Sequence, residues 1–212
     1  VDVDYAEALD WLKKAAAQGY ADAQNLLGLA YSHGRGVEAD QAAAIVWFGY
    51  AADQGHAIAA GNLGGILYWG HGVPKDPEGA LPWLKMGAAA GYSHAQWTLG
   101  QAYYYAQGCT ADYGAAFECF RNSAEQGHAE AQNNLGICYS QGHGVEQSVA
   151  DAFIWCLRGA ENGSAAAQRN VAWRYANASG IARDLDRAVY WIGKAAQQGY
   201  PGALTKLSAF EE

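Results

Sequence analysis

Glycine recurs along this chain at an interval of 36 residues, as Gly19, Gly55, Gly91, Gly127, Gly163 and Gly199. Ala16 opens a second series in the same register, continuing through Ala52, Ala88, Ala124, Ala160 and Ala196. A third runs Trp11, Trp47, Trp83, Trp155 and Trp191, broken once by Cys119, and a fourth runs Gly36, Gly72, Gly108, Gly144 and Gly180. Four series in phase, with no insertion, describe an array. Each 36-residue unit is one supersecondary element that buries its apolar face by stacking on its neighbours.

In this frame five complete units span 23 to 58, 59 to 94, 95 to 130, 131 to 166 and 167 to 202, with half units at 1 to 22 and 203 to 212, all read as a single repeat domain. Each unit reads as two helices. The first carries Ala23, Leu27, Gly28 and Tyr31 at helical spacing, repeated as Ala95, Leu99, Gly100 and Tyr103. It ends at Gly34 and Gly36, and Asp40 then stands as N-cap of the second helix, a role passed on to Asp4, Asp76, Asp112, Ser148 and Asp184. The second helix carries Ala44, Trp47, Phe48, Ala51 and Ala52 and stops at Gly55. The repeated Trp and Tyr are expected to fill the core between layers, and Lys13, Lys85, Arg121, Arg158 and Lys194 to complement the negative end of the second helix. The fold class predicted is therefore all-α, an α/α superhelical solenoid of helix-turn-helix repeats.

Composition narrows the function classes. Apolar residues make up 51% of the chain, ample for a core, yet no run approaches the roughly 20 apolar residues that span a bilayer. A net charge of −8 and a pI near 5.1 offer no broad basic field, so neither nucleic acid nor membrane insertion is expected. Cys109, Cys119, Cys138 and Cys156 form no CxxC pair; Cys138 and Cys156 are left open as idle thiols or a disulfide. A nucleophile elbow, a phosphate loop and a zinc helix are missing, and the six histidines read as exposed turn or helix-end residues. No catalytic residue, metal or cofactor is expected.

The string LGxxYxxGxGVxxDxxxAxxWxxxAAxxG can be followed from Leu27 to Gly55, and with small departures from Leu63, Leu99, Leu135 and Val171. In this it resembles the Sel-one-like repeat (SLR) family, relatives of the tetratricopeptide repeat. The resemblance implies a right-handed superhelix whose concave face, lined by the first helices, binds protein partners, and a scaffold or adaptor role. It also admits a narrower role, an inhibitor or immunity-type protein that blocks a bacterial toxin. A remote alternative is a β-lactam-binding hydrolase, since one branch of the family carries a cysteine pair in each repeat. Here those places hold Ala16 and Ala23, then Ala52 and Ala59, which argues against that branch.

If the first helices line the concave side, function lies in their positions that vary from unit to unit. In the first unit these are Asn25, Leu29, Ser32 and His33. Their counterparts place Tyr68, Trp69, Trp97, Tyr104 and Tyr105 in two adjacent layers as an aromatic patch, with Trp173, His33 and Arg169 further along the same face. The competing expectation is that some of these rings pack inward. A protein or peptide ligand and a monomeric state are expected, with the compartment left open. Val1 to Asp4 align on Val37 to Asp40, so a longer parent array is one further expectation.

Overall fold

The computed structural model describes residues 5–203, and every regular element among them is an α-helix. They are α1 (Tyr5–Ala17), α2 (Ala21–His33), α3 (Gln41–Asp53), α4 (Ala57–Trp69), α5 (Pro77–Ala89), α6 (Ser93–Tyr104), α7 (Tyr113–Glu125), α8 (Ala129–Gln141), α9 (Val149–Glu161), α10 (Ala165–Ala176) and α11 (Leu185–Gln197). The even-numbered helices are the first helices of the repeats. The Asp4 cap and the C-terminal half unit beyond Ala203 lie outside the described residues.

The chain divides into two compact units, one ending at Ala111 and one starting at Asp112. In the first, α1 to α6 pack each on the next, and α2, α4 and α6 also touch one another in turn. In the second, α7 to α11 pack in the same sequential way and α8 touches α10.

Helices of 12 or 13 residues are marginal in water, so their ends matter. Asp40, Asp76, Asp112 and Asp184 each accept a backbone N–H three residues on, at 2.9 to 3.0 Å, and Ser148 does so at 3.2 Å. Three of the first helices, α4, α8 and α10, are capped as well, whereas α2 and α6 are not: His56 and His128 accept the N–H of Ala59 and Ala131 on Nδ1 at 3.1 and 3.3 Å, and Ser164 accepts that of Ala167. Two of the six histidines are thus part-buried capping groups rather than exposed turn residues. At their C-termini α2, α4 and α8 end on left-handed Gly34, Gly70 and Gly142. After α6 and α10 the same place is held by Ala106 and Ala178, both at φ 54°, a conformation that costs an L-residue about 1 kcal/mol or more.

The deepest core position is not the repeated tryptophan. Trp11 is 64% exposed, and Trp47, Trp83, Trp155 and Trp191 are half-buried. The next residue in each unit, Phe48, Leu84, Phe120, Cys156 and Ile192, is at most 1% exposed. Its partner on the first helix is small: a Cβ built on Gly28 would meet the Phe48 ring at 2.7 Å, and one on Gly64 would meet Leu84 at 2.8 Å. The tryptophan, one residue round the helix, packs instead at the margin of a core cluster, Trp47 on the one that holds Leu9, Ala23 and Leu27 and Trp83 on the one that holds Phe48, Ala59 and Leu63. The basic residues also divide. Arg158 and Lys194 lie in the last turns of α9 and α11, but α5 and α7 carry no cation there, because Lys85 and Arg121 sit further back.

Layers are also tied by buried amides. Gln24 donates to the Ala16 carbonyl at 3.3 Å and accepts from Gln54 at 2.7 Å. Gln132 joins Ala124 and Asn162 in the same way, and Gln168 joins Ala160 and Gln198. Cys138 and Cys156 are buried free thiols, so the disulfide reading is withdrawn.

Candidate partner-binding surface

The first unit gathers aromatic rings on α4 and α6. Trp69, the last residue of α4, stacks on Trp97 of α6 with centroids 5.5 Å apart and planes at 25°. His94, one turn before Trp97, lies 5.4 Å from it and 6.2 Å from Tyr92. Both tryptophans are half-buried, so each ring keeps part of its surface in water.

Beside the stack is a pocket of about 220 Å³. Leu29, Ser32 and His33 line it from α2, Asn62, Gly65, Ile66 and Trp69 from α4, Phe48 from α3, His71 from a turn and His94 from α6. Gly65 faces the His94 ring, where an added Cβ would stand at ordinary contact distance, 3.5 Å. One wall is held by a polar chain: Tyr92 donates to Asn62 Oδ1 at 3.0 Å, and Asn62 donates to Asn25 at 3.4 Å. Burial raises the Tyr92 phenol above its usual range, which keeps it a donor. His33 is exposed and bonded through Nδ1 to the Leu29 carbonyl at 2.9 Å.

Of the aromatic residues expected in this patch, Tyr68 is 1% exposed and lies edge-on to Trp69 at 4.7 Å. Consecutive helical residues differ by about 100° around the axis, so with Trp69 at the surface its neighbour turns inward. Burial, with Cys109 and Tyr105 nearby, pushes the Tyr68 phenol up to about 12. Tyr105 is 55% exposed and meets half-buried Tyr104 edge-on at 4.9 Å. Asn25, grouped with the outward positions, is buried and serves the polar chain.

Trp173 and Arg169 belong to the second unit, where they border a pocket of about 330 Å³ between α8 and α10. Trp173 is 46% exposed and Arg169 is exposed, while Arg174 beside them is only 5% exposed. Asn62, Gly65, His94 and Arg174 were not singled out from the sequence. Arg174 had a legible signal: its place is held by Ala30, Ile66, Ala102 and Cys138 in the other repeats. Among the described residues no group of His, Cys, Asp and Glu is arranged to hold a metal ion, and no helix is long and apolar enough to cross a membrane.

The Sel1 repeat pattern matches residues 1–20, 21–56, 57–92, 93–128, 129–164 and 165–200. A Sel1 repeat protein from Oxalobacter formigenes is 35% identical with a TM-score of 0.88, the match covering 98% of this chain and 83% of that one. The protective antigen c5321 of uropathogenic Escherichia coli, which displays an SLR fold, is also 35% identical with a TM-score of 0.82; the match covers 96% of this chain and 44% of that longer one. The immunity protein Pa5087 from Pseudomonas aeruginosa shares the fold at 20% identity and a TM-score of 0.57, over 93% of this chain and 75% of that one. No curated protein matches the chain.

Proposed function

Since the chain belongs to the Sel1 repeat family, a family of repeat scaffolds, we propose that it holds a protein or peptide partner on the α4 and α6 surface of its first unit, centred on Trp69 and Trp97. The observation that carries this reading is the half-buried Trp69–Trp97 stack beside an open pocket, at places where the other repeats put His33, Tyr105, Gln141 and Asn177, or Asn25, Gly61, Asn133 and Arg169. The repeat does not require aromatic rings there, and large rings bordering a pocket with polar surroundings are the side chains that dominate binding energy in interfaces. A pocket of about 220 Å³ is smaller than the ~300–1,000 Å³ of small-molecule sites, and suits a single side chain of a larger ligand.

Tyr105, and His33 across the pocket, extend the contact area. In this reading the protein is a monomeric, non-catalytic scaffold with no role for nucleic acid. The immunity-type role gains nothing from Pa5087, whose likeness at 20% identity carries the fold alone. The test is affinity capture from cells that make the protein, wild type beside a Trp69→Ala, Trp97→Ala, Tyr105→Ala variant shown by circular dichroism to be folded. A protein held by wild type and lost by the variant supports the reading. Equal retention of every captured protein contradicts it.

A further inference from the structure

The pocket of the first unit and that of the second occupy the same place in the repeat. Ile137 stands 108 residues, three periods of 36, after Leu29, and Asn170 bears the same relation to Asn62. The chemistry has changed between them: Ile66 is answered by Arg174, Gly65 by Trp173 and Gly61 by Arg169. The fold does not demand an arginine at this place, since Ala30, Ile66, Ala102 and Cys138 fill it in the other repeats and all are buried.

Arg174 is 5% exposed, and a buried cation is expensive unless it is paired. Its Nη1 donates to Ser179 Oγ at 3.3 Å, and its guanidinium lies against the Cys156 thiol. Burial pushes that thiol up while the guanidinium draws it back. Among the described residues no carboxylate lies within 4.0 Å of Arg174. Among those residues its charge is therefore met by neutral groups, although it borders a pocket of about 330 Å³. At the mouth, exposed Arg169 donates to Asn170 Oδ1 at 2.9 Å, and Asn170 in turn donates to buried Asn133 at 2.8 Å. The outer cation is thereby aimed before any ligand arrives.

We propose that this pocket is a carboxylate-binding site, with Arg174 as the buried cation, Arg169 as the outer one and Trp173 as an apolar wall. An arginine fork matches the two oxygens of a carboxylate, and because the Arg169 charge stands in water, the single buried charge of Arg174 balances a monoanion better than a phosphate dianion. The ligand is a chain end or an acidic side chain. The site stands on the second unit alone, so it holds or fails independently of the aromatic surface of the first.

The test is a titration of the full chain followed through the Trp173 indole N–H in nitrogen-15 NMR, the signal identified with Trp173→Phe. The probes are acetyl-Gly-Glu-amide, acetyl-Gly-Gly with a free carboxyl terminus, acetyl-Gly-Gln-amide and inorganic phosphate. Saturable binding of either carboxylate peptide, not matched by the glutaminyl peptide, supports the site, and the better of the two identifies the source of the group. Arg174→Ile, which copies Ile66 of the first unit, is expected to lower that affinity by about tenfold or more. Arg169→Gln, a change on an exposed side chain, is expected to lower it too. Equal binding of the glutaminyl peptide, tighter binding of phosphate, no binding of any probe, or unchanged affinity in the Arg169→Gln variant overturns the proposal.

Discussion

Trp69 and Tyr68 are adjacent, and the helix sends one to the surface and the other into the core. Sequence alone placed both in one patch because both are aromatic and both fall outside the repeated stripe; the roughly 100° between consecutive helical residues separates them. The difference has a titration consequence. The Tyr68 phenol ionises near 12 in the fold against 10.0 for an ordinary tyrosine, so the fold favours its neutral form. That contribution is complete below about pH 10 and is lost as pH rises toward 12. Tyr68→Phe is expected to flatten the alkaline loss of stability over this window, read by urea unfolding at each pH. The thiols give a second check at this scale. Cys138 and Cys156 are free and buried, so all 4 cysteines should react with a disulfide reagent in denaturant without added reductant. A count of two would restore the disulfide.

Among the elements, the caps of the second helices were legible because Asp and Ser recur at the period immediately ahead of an apolar helix. The His56 and His128 caps of first helices were not, since histidine is rarely read as a capping residue. His128 accepts the Ala131 N–H on Nδ1, which only the unprotonated nitrogen can do, and burial lowers its pKa below the ordinary 6.5. Its stabilising effect is present above pH 6.5 and is lost as pH falls through the lower folded value. His128→Ser, which copies Ser164 of the next unit, is expected to keep the cap and remove that acid sensitivity in melting curves taken from pH 7 to 5. The turns after α6 and α10 carry a different liability. Ala106→Gly and Ala178→Gly should each raise stability by roughly 1 kcal/mol, measured as the denaturant midpoint, because Ala106 and Ala178 hold a left-handed backbone that glycine adopts freely.

For the whole molecule, the period of 36 carried the fold, since every residue that sets it is a cap, a turn or a packing position. The same fact kept the proposed binding surface obscure. A repeat shared by many scaffolds says nothing about what each one holds, and the variable positions mix rings that face water, such as Tyr105, with groups turned inward, such as Tyr68 and Asn25. The Arg174 pocket was obscured differently, because the substitution falls within the buried stripe, where variation reads as ordinary repacking. A Trp69–Trp97 stack that serves a partner is laid over a core that stands without it. Thermal unfolding of wild type, Trp69→Ala with Trp97→Ala, and Leu84→Ala tests this directly. Leu84 is fully buried and its truncation should cost about 2–5 kcal/mol, a fall on the order of 4–20 °C in a chain of this size. The account predicts that the double tryptophan variant loses less than half as much. A loss equal to or larger than that of Leu84→Ala would make the stack part of the core and contradict the binding surface.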